Sequence, residues 1–188
     1  MIRFLIGIVI GILLVPAGIW IWLQYGNVPV AVSDSPLPLE RRITGMALNA
    51  RVDHEMVQNP PIQPDETDLN AGAHIYVDQC AACHGLHGKK ADFGEYMFPE
   101  APPLWEKHHN GMVVGVSDDP PGETYWKVAN GIRLTGMPSF EKKLNETQMW
   151  QVSLLLANAD KPLPPDALQT LRGSQPVPPP LPAAPVKK

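Results

Sequence analysis

Two cysteines and a histidine stand together in one short stretch of the sequence. They are Cys80, Cys83 and His84, in the run CAACH, and the chain has no other cysteine. Thiols in the spacing C-x-x-C serve as a redox couple, as half of a zinc site, as a local disulfide, or as the attachment point of a haem. The surrounding sequence separates these four possibilities.

The histidine directly after the second cysteine favours haem attachment, because C-x-x-C-H is the attachment pattern of c-type haem. Each thiol forms a thioether with one vinyl group, and one helical turn brings both sulfurs to the same edge of the porphyrin. His84 then lies beneath the iron as the proximal ligand. A zinc site would need His87 as a fourth ligand within eight residues, without a second C-x-x-C. A thioredoxin-like couple needs a βαβ context, and a disulfide between residues three apart stabilises very little.

A haem held by one histidine has a second axial position, and Met137 is the predicted ligand there. It stands in the run NGIRLTGMPSF, between two predicted helices. In this loop Gly136 allows close approach of the backbone and Pro138 stiffens the chain. The alternatives are His108 and His109, and ligation by two histidines would lower the reduction potential. A lone methionine usually fills a core. Met97 and Met112 are predicted to pack within loops, and His74 in the first helix to be exposed or packed, but not to ligate the iron.

Three helices are predicted to position these residues, and no convincing strand is present. The first begins near Thr67 or Asp68 and leads into the cysteines. The second, GETYWKVANG, ends at Gly131. The third begins at Asn145, with Gln148 three residues later, and carries a broad apolar face. The predicted fold class is therefore all-α, with long loops that need a large group to wrap.

The ends of the chain differ in composition from this domain. Residues 4–23 are apolar and uncharged, long enough to cross a bilayer. We predict a retained transmembrane anchor within residues 1–25, and a cleaved signal peptide is the alternative. Residues 26–66 are predicted to be a linker with one short amphipathic helix. Residues 67–161 are the predicted haem domain, and residues 162–188, rich in proline, a predicted extended tail.

Taken in order along the chain, these motifs resemble the class I c-type cytochromes with a single haem. The resemblance covers the predicted haem domain. It rests on Gly72 and Tyr76 in the first helix, on CAACHG, on APPL at residues 101–104, and on GMPSF before the last helix. It implies the class I cytochrome c fold, with loops around one covalent haem c, preceded by one N-terminal transmembrane helix. The first and last helices should then cross near Gly72 and Tyr76, with Trp150 or its neighbours packed there.

The resemblance also implies how the haem is held. Cys80 and Cys83 would carry it covalently, and His84 and Met137 would ligate its iron. The carbonyl of Pro102, or of the next proline, would accept the N–H of His84, which fixes the imidazole and raises its basicity.

With both axial positions filled, the iron has no open site for oxygen or substrate. The expected function is therefore one-electron transfer and not catalysis, at a potential that methionine ligation raises. Such haems are attached on the exported side, so we expect the domain on the periplasmic side of the inner membrane, with lipid around residues 4–23. The expected partners are redox proteins, such as a quinol-oxidising complex, a dehydrogenase or a terminal oxidase. We expect no nucleic acid.

Three roles remain open at this point. The chain is a carrier or haem subunit of a respiratory chain, the cytochrome partner of one dedicated enzyme, or a haem sensor or peroxidase-like enzyme in which Met137 is labile. Carbon monoxide distinguishes the last, because an open ferrous iron binds it readily. Residues 67–161 hold 12 acidic and 8 basic residues, so we expect no strongly basic docking surface.

Overall fold

The computed structural model describes residues 2–91, 93–108 and 111–173 of the chain. Within these ranges it has seven α-helices, one 3-10 turn (Gly94–Tyr96) and two very short strands. In chain order the helices and strands are α1 (Ile2–Tyr25), α2 (Glu40–Glu55), α3 (Glu66–Gln79), α4 (Ala81–His84), β1 (Lys107–His108), β2 (Val113–Val114), α5 (Pro121–Asn130), α6 (Glu146–Ala157) and α7 (Pro165–Leu171). The all-α class is confirmed. The strands pair as one antiparallel hairpin, and two residues each are too few to show an alternating pattern in the sequence.

The chain divides into two units between Thr44 and Gly45, and α1 is the main element of the first. The stretch Arg3–Tyr25 is apolar, is not buried, and is long enough to cross a membrane. A signal sequence near an N-terminus has the same length and composition. The length and composition of the helix thus fit a membrane anchor and an export signal equally.

The predicted linker contains a helix, α2, whose later turns belong to the second unit. Val52 is buried there, and Glu55 accepts a hydrogen bond of 3.0 Å from the indole N–H of Trp126 in α5. Ile43 and Met46, which the sequence spacing puts on the apolar face, are exposed. The helix therefore contacts α5 through another face than the one that the sequence spacing indicated.

Helix α3 begins earlier than the sequence predicted. Its N-cap is Asp65, whose extended backbone lets the carboxylate accept the backbone N–H of Asp68 at 2.8 Å. The predicted caps, Thr67 and Asp68, lie inside the first turn instead. Glu66 and Asp68 are favourable in that turn, because the N-terminal end of a helix attracts negative charge.

The crossing of α3 and α6 at Gly72 positions the helix that leads into the two cysteines. A Cβ at Gly72 would lie 2.5 Å from the carbonyl oxygen of Gln151 and 3.1 Å from Cβ of Leu155. Only glycine therefore allows this approach. The neighbours of Trp150 make the predicted contact, whereas Trp150 itself stacks on Tyr125 with ring centroids 4.2 Å apart.

The start of α6 is confirmed. Asn145 accepts the backbone N–H of Gln148 at 2.9 Å, and the Gln148 side chain accepts that of Asn145 at 3.0 Å. This reciprocal capping box satisfies donors that would otherwise lack partners at the helix end.

The prediction of an extended tail from residue 162 is wrong over Pro165–Leu171, which form α7. Leu163, Ala167 and Leu171 are buried in the same core as α3 and α6. The core of the second unit therefore extends beyond residue 161. Residues 174–188, the rest of the predicted tail, lie outside the described residues.

Candidate cofactor site

Cys80, Cys83 and His84 lie on one helical turn, at the junction of α3 and α4. The carbonyl of Cys80 accepts the backbone N–H groups of Cys83 at 3.1 Å and His84 at 2.9 Å. All three side chains line one cleft. The buried Tyr76 fixes the turn from the inside, because its hydroxyl donates to the carbonyl of Gly85 at 2.6 Å.

The ring of His84 is oriented by a residue distant in sequence. Its Nδ1 lies 2.8 Å from the carbonyl oxygen of Pro102. A carbonyl can only accept, so Nδ1 carries the proton and donates it, which leaves Nε2 free as a metal ligand. Burial lowers the pKa of His84, although the bond to Pro102 acts in the opposite direction. The neutral form, which metals require, is therefore favoured. Of the two prolines considered from the sequence, Pro102 supplies this acceptor.

Met137 reaches the same cleft from the loop after α5. The loop closes on itself, because Ile132 donates its backbone N–H to the carbonyl of Met137 at 3.1 Å. Gly131, which ends α5, has a φ of +67°, and a Cβ there would lie 2.6 Å from the backbone nitrogen of Ser139. Glycine is needed for both reasons. The hydroxyl of Ser139 donates to the carbonyl of Ala129 at 2.5 Å and ties the loop back to α5.

The cleft is mainly apolar. Its apolar wall comes from several elements: Leu104, Val116, Val128, Phe140, Val152 and Leu156.

The donor set of this cleft fits a covalent haem. Cys80 and Cys83 offer two thiols on one turn, His84 a free Nε2, and Met137 a thioether. These are the groups that attach and ligate haem in cytochromes c. The apolar lining suits a porphyrin, whose faces are apolar, and excludes water from them.

The structure brings Met97 to the site, where the sequence predicted only loop packing. Its side chain lines the cleft and lies across Gly136, so that a Cβ at Gly136 would overlap its terminal methyl group. Met112 has 76% of its surface exposed and does not line the cleft. Nothing in the sequence separates these two methionines, because the contact with Gly136 joins residues 39 positions apart.

Of the two alternative histidine ligands, the structure describes His108. His108 is on β1, and its Nε2 is hydrogen bonded to the carbonyl of Gly115. It does not line the cleft. His109 lies outside the described residues. His74 is exposed on α3, as predicted.

The thiols do not resemble a redox couple or a zinc site. Burial raises the pKa of Cys80 to about 12, and the charge of Cys83 adds to this shift. The reactive thiol of a redox couple is a thiolate, and its pKa is lowered. In the described part of the chain, no three His, Cys, Asp or Glu side chains come together in a way that suits a metal ion.

Part of the chain is similar to known proteins. Residues 67–154 match the family described as cytochrome c oxidase, cbb3-type, subunit III. Among solved structures, the chain is similar to one from the reducing HAO-like protein complex Kustc0457/Kustc0458 of Kuenenia stuttgartiensis. The two are 21% identical, with a TM-score of 0.43, and the match covers 57% of this chain and 50% of that one. No curated protein matches the sequence.

Proposed function

We propose that this chain passes single electrons between redox proteins at a membrane, as a carrier or as the haem-bearing subunit of a larger complex. The premise is its class: residues 67–154 are a class I c-type cytochrome domain, which carries covalent haem c and serves electron transfer. The observation that supports the proposal most is the cleft that Cys80, Cys83, His84 and Met137 share.

Each of these residues has a defined task in the proposal. Cys80 and Cys83 attach the cofactor, and the bond from His84 to Pro102 holds the imidazole in the ligating tautomer. Met137 would hold the iron together with His84. The bound haem would supply the one-electron change between ferrous and ferric iron. With two iron ligands from the chain, no position would be left for oxygen or substrate, so electron transfer is favoured over catalysis.

The membrane part of the proposal rests on α1. Covalent haem belongs to exported proteins, and α1 has the length of a transmembrane anchor. We therefore propose that the domain lies on the periplasmic side of the inner membrane, with lipid around residues 4–23. The excess of acidic over basic residues between 67 and 161 favours a redox partner with a basic or weakly charged surface.

The experiment uses the full chain purified from membranes in detergent. Haem staining after denaturing electrophoresis should show one band, and Cys80→Ala or Cys83→Ala should weaken or remove it. The ferric protein should show a sulfur-to-iron charge-transfer band and the ferrous protein should not bind carbon monoxide. Met137→Ala should abolish the charge-transfer band and allow carbon monoxide to bind. Met112→Ala, at an exposed methionine, should change neither observation. Zinc without iron in the purified protein would end the proposal.

The role of the anchor is tested separately. A chain that begins near Asn27 should be soluble and keep the spectrum and potential of the full chain. At equal bulk concentration, membrane complexes should reduce it more slowly, because a tether raises the effective concentration of the haem domain. Equal rates for both forms would argue against the tether, and a mature N-terminus at residue 30 or later would show that the helix is removed.

A further inference from the structure

Thr135 makes two hydrogen bonds inside the loop that carries Met137. Its hydroxyl donates to the carbonyl of Ile132 at 2.7 Å and accepts the backbone N–H of Met137 at 3.1 Å. Its own backbone N–H also donates to the Ile132 carbonyl, at 3.2 Å. The side chain therefore joins the first and last residues of a tight turn. Thr135 also lines the cleft, so the hydroxyl acts beside the cofactor.

The loop needs such support because its middle is strained. Leu134, next to Thr135, has a φ of +62°, which side chains other than glycine rarely adopt, and 90% of its surface is exposed. Its packing therefore contributes little that would offset the strain. On the other side of Thr135 is Gly136, where contact comes from Met97. Within the described residues, Thr135 is the side chain that holds the backbone of Met137 by a hydrogen bond.

We infer that Thr135 is a positioning residue that keeps the thioether of Met137 on the iron. The inference rests on the proposed ligation by Met137. Without the hydroxyl, the Met137 N–H loses its acceptor, and the turn keeps only two backbone bonds, from Ile132 to Met137 and from Thr135 to Ile132. The loop then opens more often, and an added ligand has more time to take the sixth position.

The test compares Thr135→Val, which keeps the shape and removes the hydroxyl, with Thr135→Ser, which keeps the hydroxyl. Imidazole is added to the full-length ferric holoprotein at 25 °C, and loss of the charge-transfer band gives the rate of exchange. Thr135→Val should exchange about tenfold faster, which corresponds to about 1.4 kcal/mol. Thr135→Ser should stay near the wild-type rate. The matched control is Thr44→Val, since the Thr44 hydroxyl also bonds a local carbonyl, that of Glu40, in α2.

A merely structural role for Thr135 would lower thermal stability and leave the exchange rate and the reduction potential at 25 °C unchanged. That result, with the charge-transfer band present in the wild type and lost in Met137→Ala, overturns the inference and leaves the ligation intact. A wild type without the band refutes ligation by Met137 itself. If Thr135→Val retains no haem, Thr135→Ala removes the same hydroxyl with less bulk, and the same two outcomes decide.

Discussion

Gly72→Ala tests the helix crossing that supports the haem-binding turn. An added Cβ would lie 2.5 Å from the carbonyl oxygen and 2.9 Å from the carbonyl carbon of Gln151, closer than real Cβ atoms come to other atoms. Both are backbone atoms, so no change of rotamer can relieve the contact. Helices α3 and α6 must move apart, and Tyr76, which holds the turn at Gly85, lies one turn further along α3.

The size of the effect follows from two opposing contributions. Overpacking in a core costs about 1–3 kcal/mol, and an unyielding backbone obstacle favours the upper end. Alanine in a helix interior is more stable than glycine by about 1 kcal/mol. We therefore expect Gly72→Ala to lower the free energy of unfolding by about 2 kcal/mol. For a domain of this size that corresponds to a fall of about 8 °C in Tm.

The assay is urea unfolding of the holoprotein, followed by haem absorbance and circular dichroism, with an unchanged denaturant slope as a check on two-state behaviour. Gly45→Ala is the matched control, because Gly45 is inside α2 and a Cβ there would meet nothing within 4 Å. It should keep or raise stability. Equal shifts for Gly72→Ala and Gly45→Ala would refute the close crossing.

Two other substitutions follow from burial and charge. Leu171 has 0% of its surface exposed, so Leu171→Ala should lower the free energy of unfolding by about 2–5 kcal/mol. Leu134 is 90% exposed, so Leu134→Ala should change that free energy by less than about 0.5 kcal/mol. Equal effects of the two substitutions in denaturant unfolding would contradict the packing of α7. Burial raises the pKa of Asp119, and the charge of Glu123 raises it further. Above the usual carboxyl range of pH, the ionised Asp119 carboxylate therefore destabilises the folded state. Asp119→Asn should therefore increase stability at pH 7, with a difference that disappears below about pH 4; a difference that persists at low pH would assign the effect to packing.

The parts of the site that the sequence predicted are those set by a few neighbouring residues. The arrangement of Cys80, Cys83 and His84 needs one helical turn, and the capping box from Asn145 to Gln148 spans four residues. Gly131 was identifiable because a helix commonly ends at a glycine with positive φ. Each of these signals is complete within a window of five residues, so tertiary contacts do not alter it.

The parts that the sequence did not predict depend on contacts between distant residues. Asp65 caps α3 although Thr67 and Asp68 are equally suitable residue types, because backbone geometry selects among neighbours. Met97 lies in the cleft through its contact with Gly136. Its residue type alone indicates only a flexible apolar filler.

Helix α7 had a signal that the proline content obscured. Pro165 occupies the first turn, where proline is tolerated because its missing N–H would have no partner there. Ala167, Leu168 and Leu171 follow at the spacing of one helical face. The composition of the whole segment suggested an extended tail, and a window of seven residues was needed to find the helix inside it.

The contacts of α7 extend the haem domain beyond residue 161, where the sequence predicted that it ends. The carbonyl of Leu171, the last residue of α7, accepts the backbone N–H of His87 at 3.1 Å, three residues after His84. Gly173 then lies beside Leu86, since a Cβ there would be 3.2 Å from its Cδ1. In both contacts the C-terminal partner lies beyond the family match, which ends at residue 154. The loop that leaves His84 is therefore held by residues after 161, and a domain cut at residue 161 would leave that loop without its support.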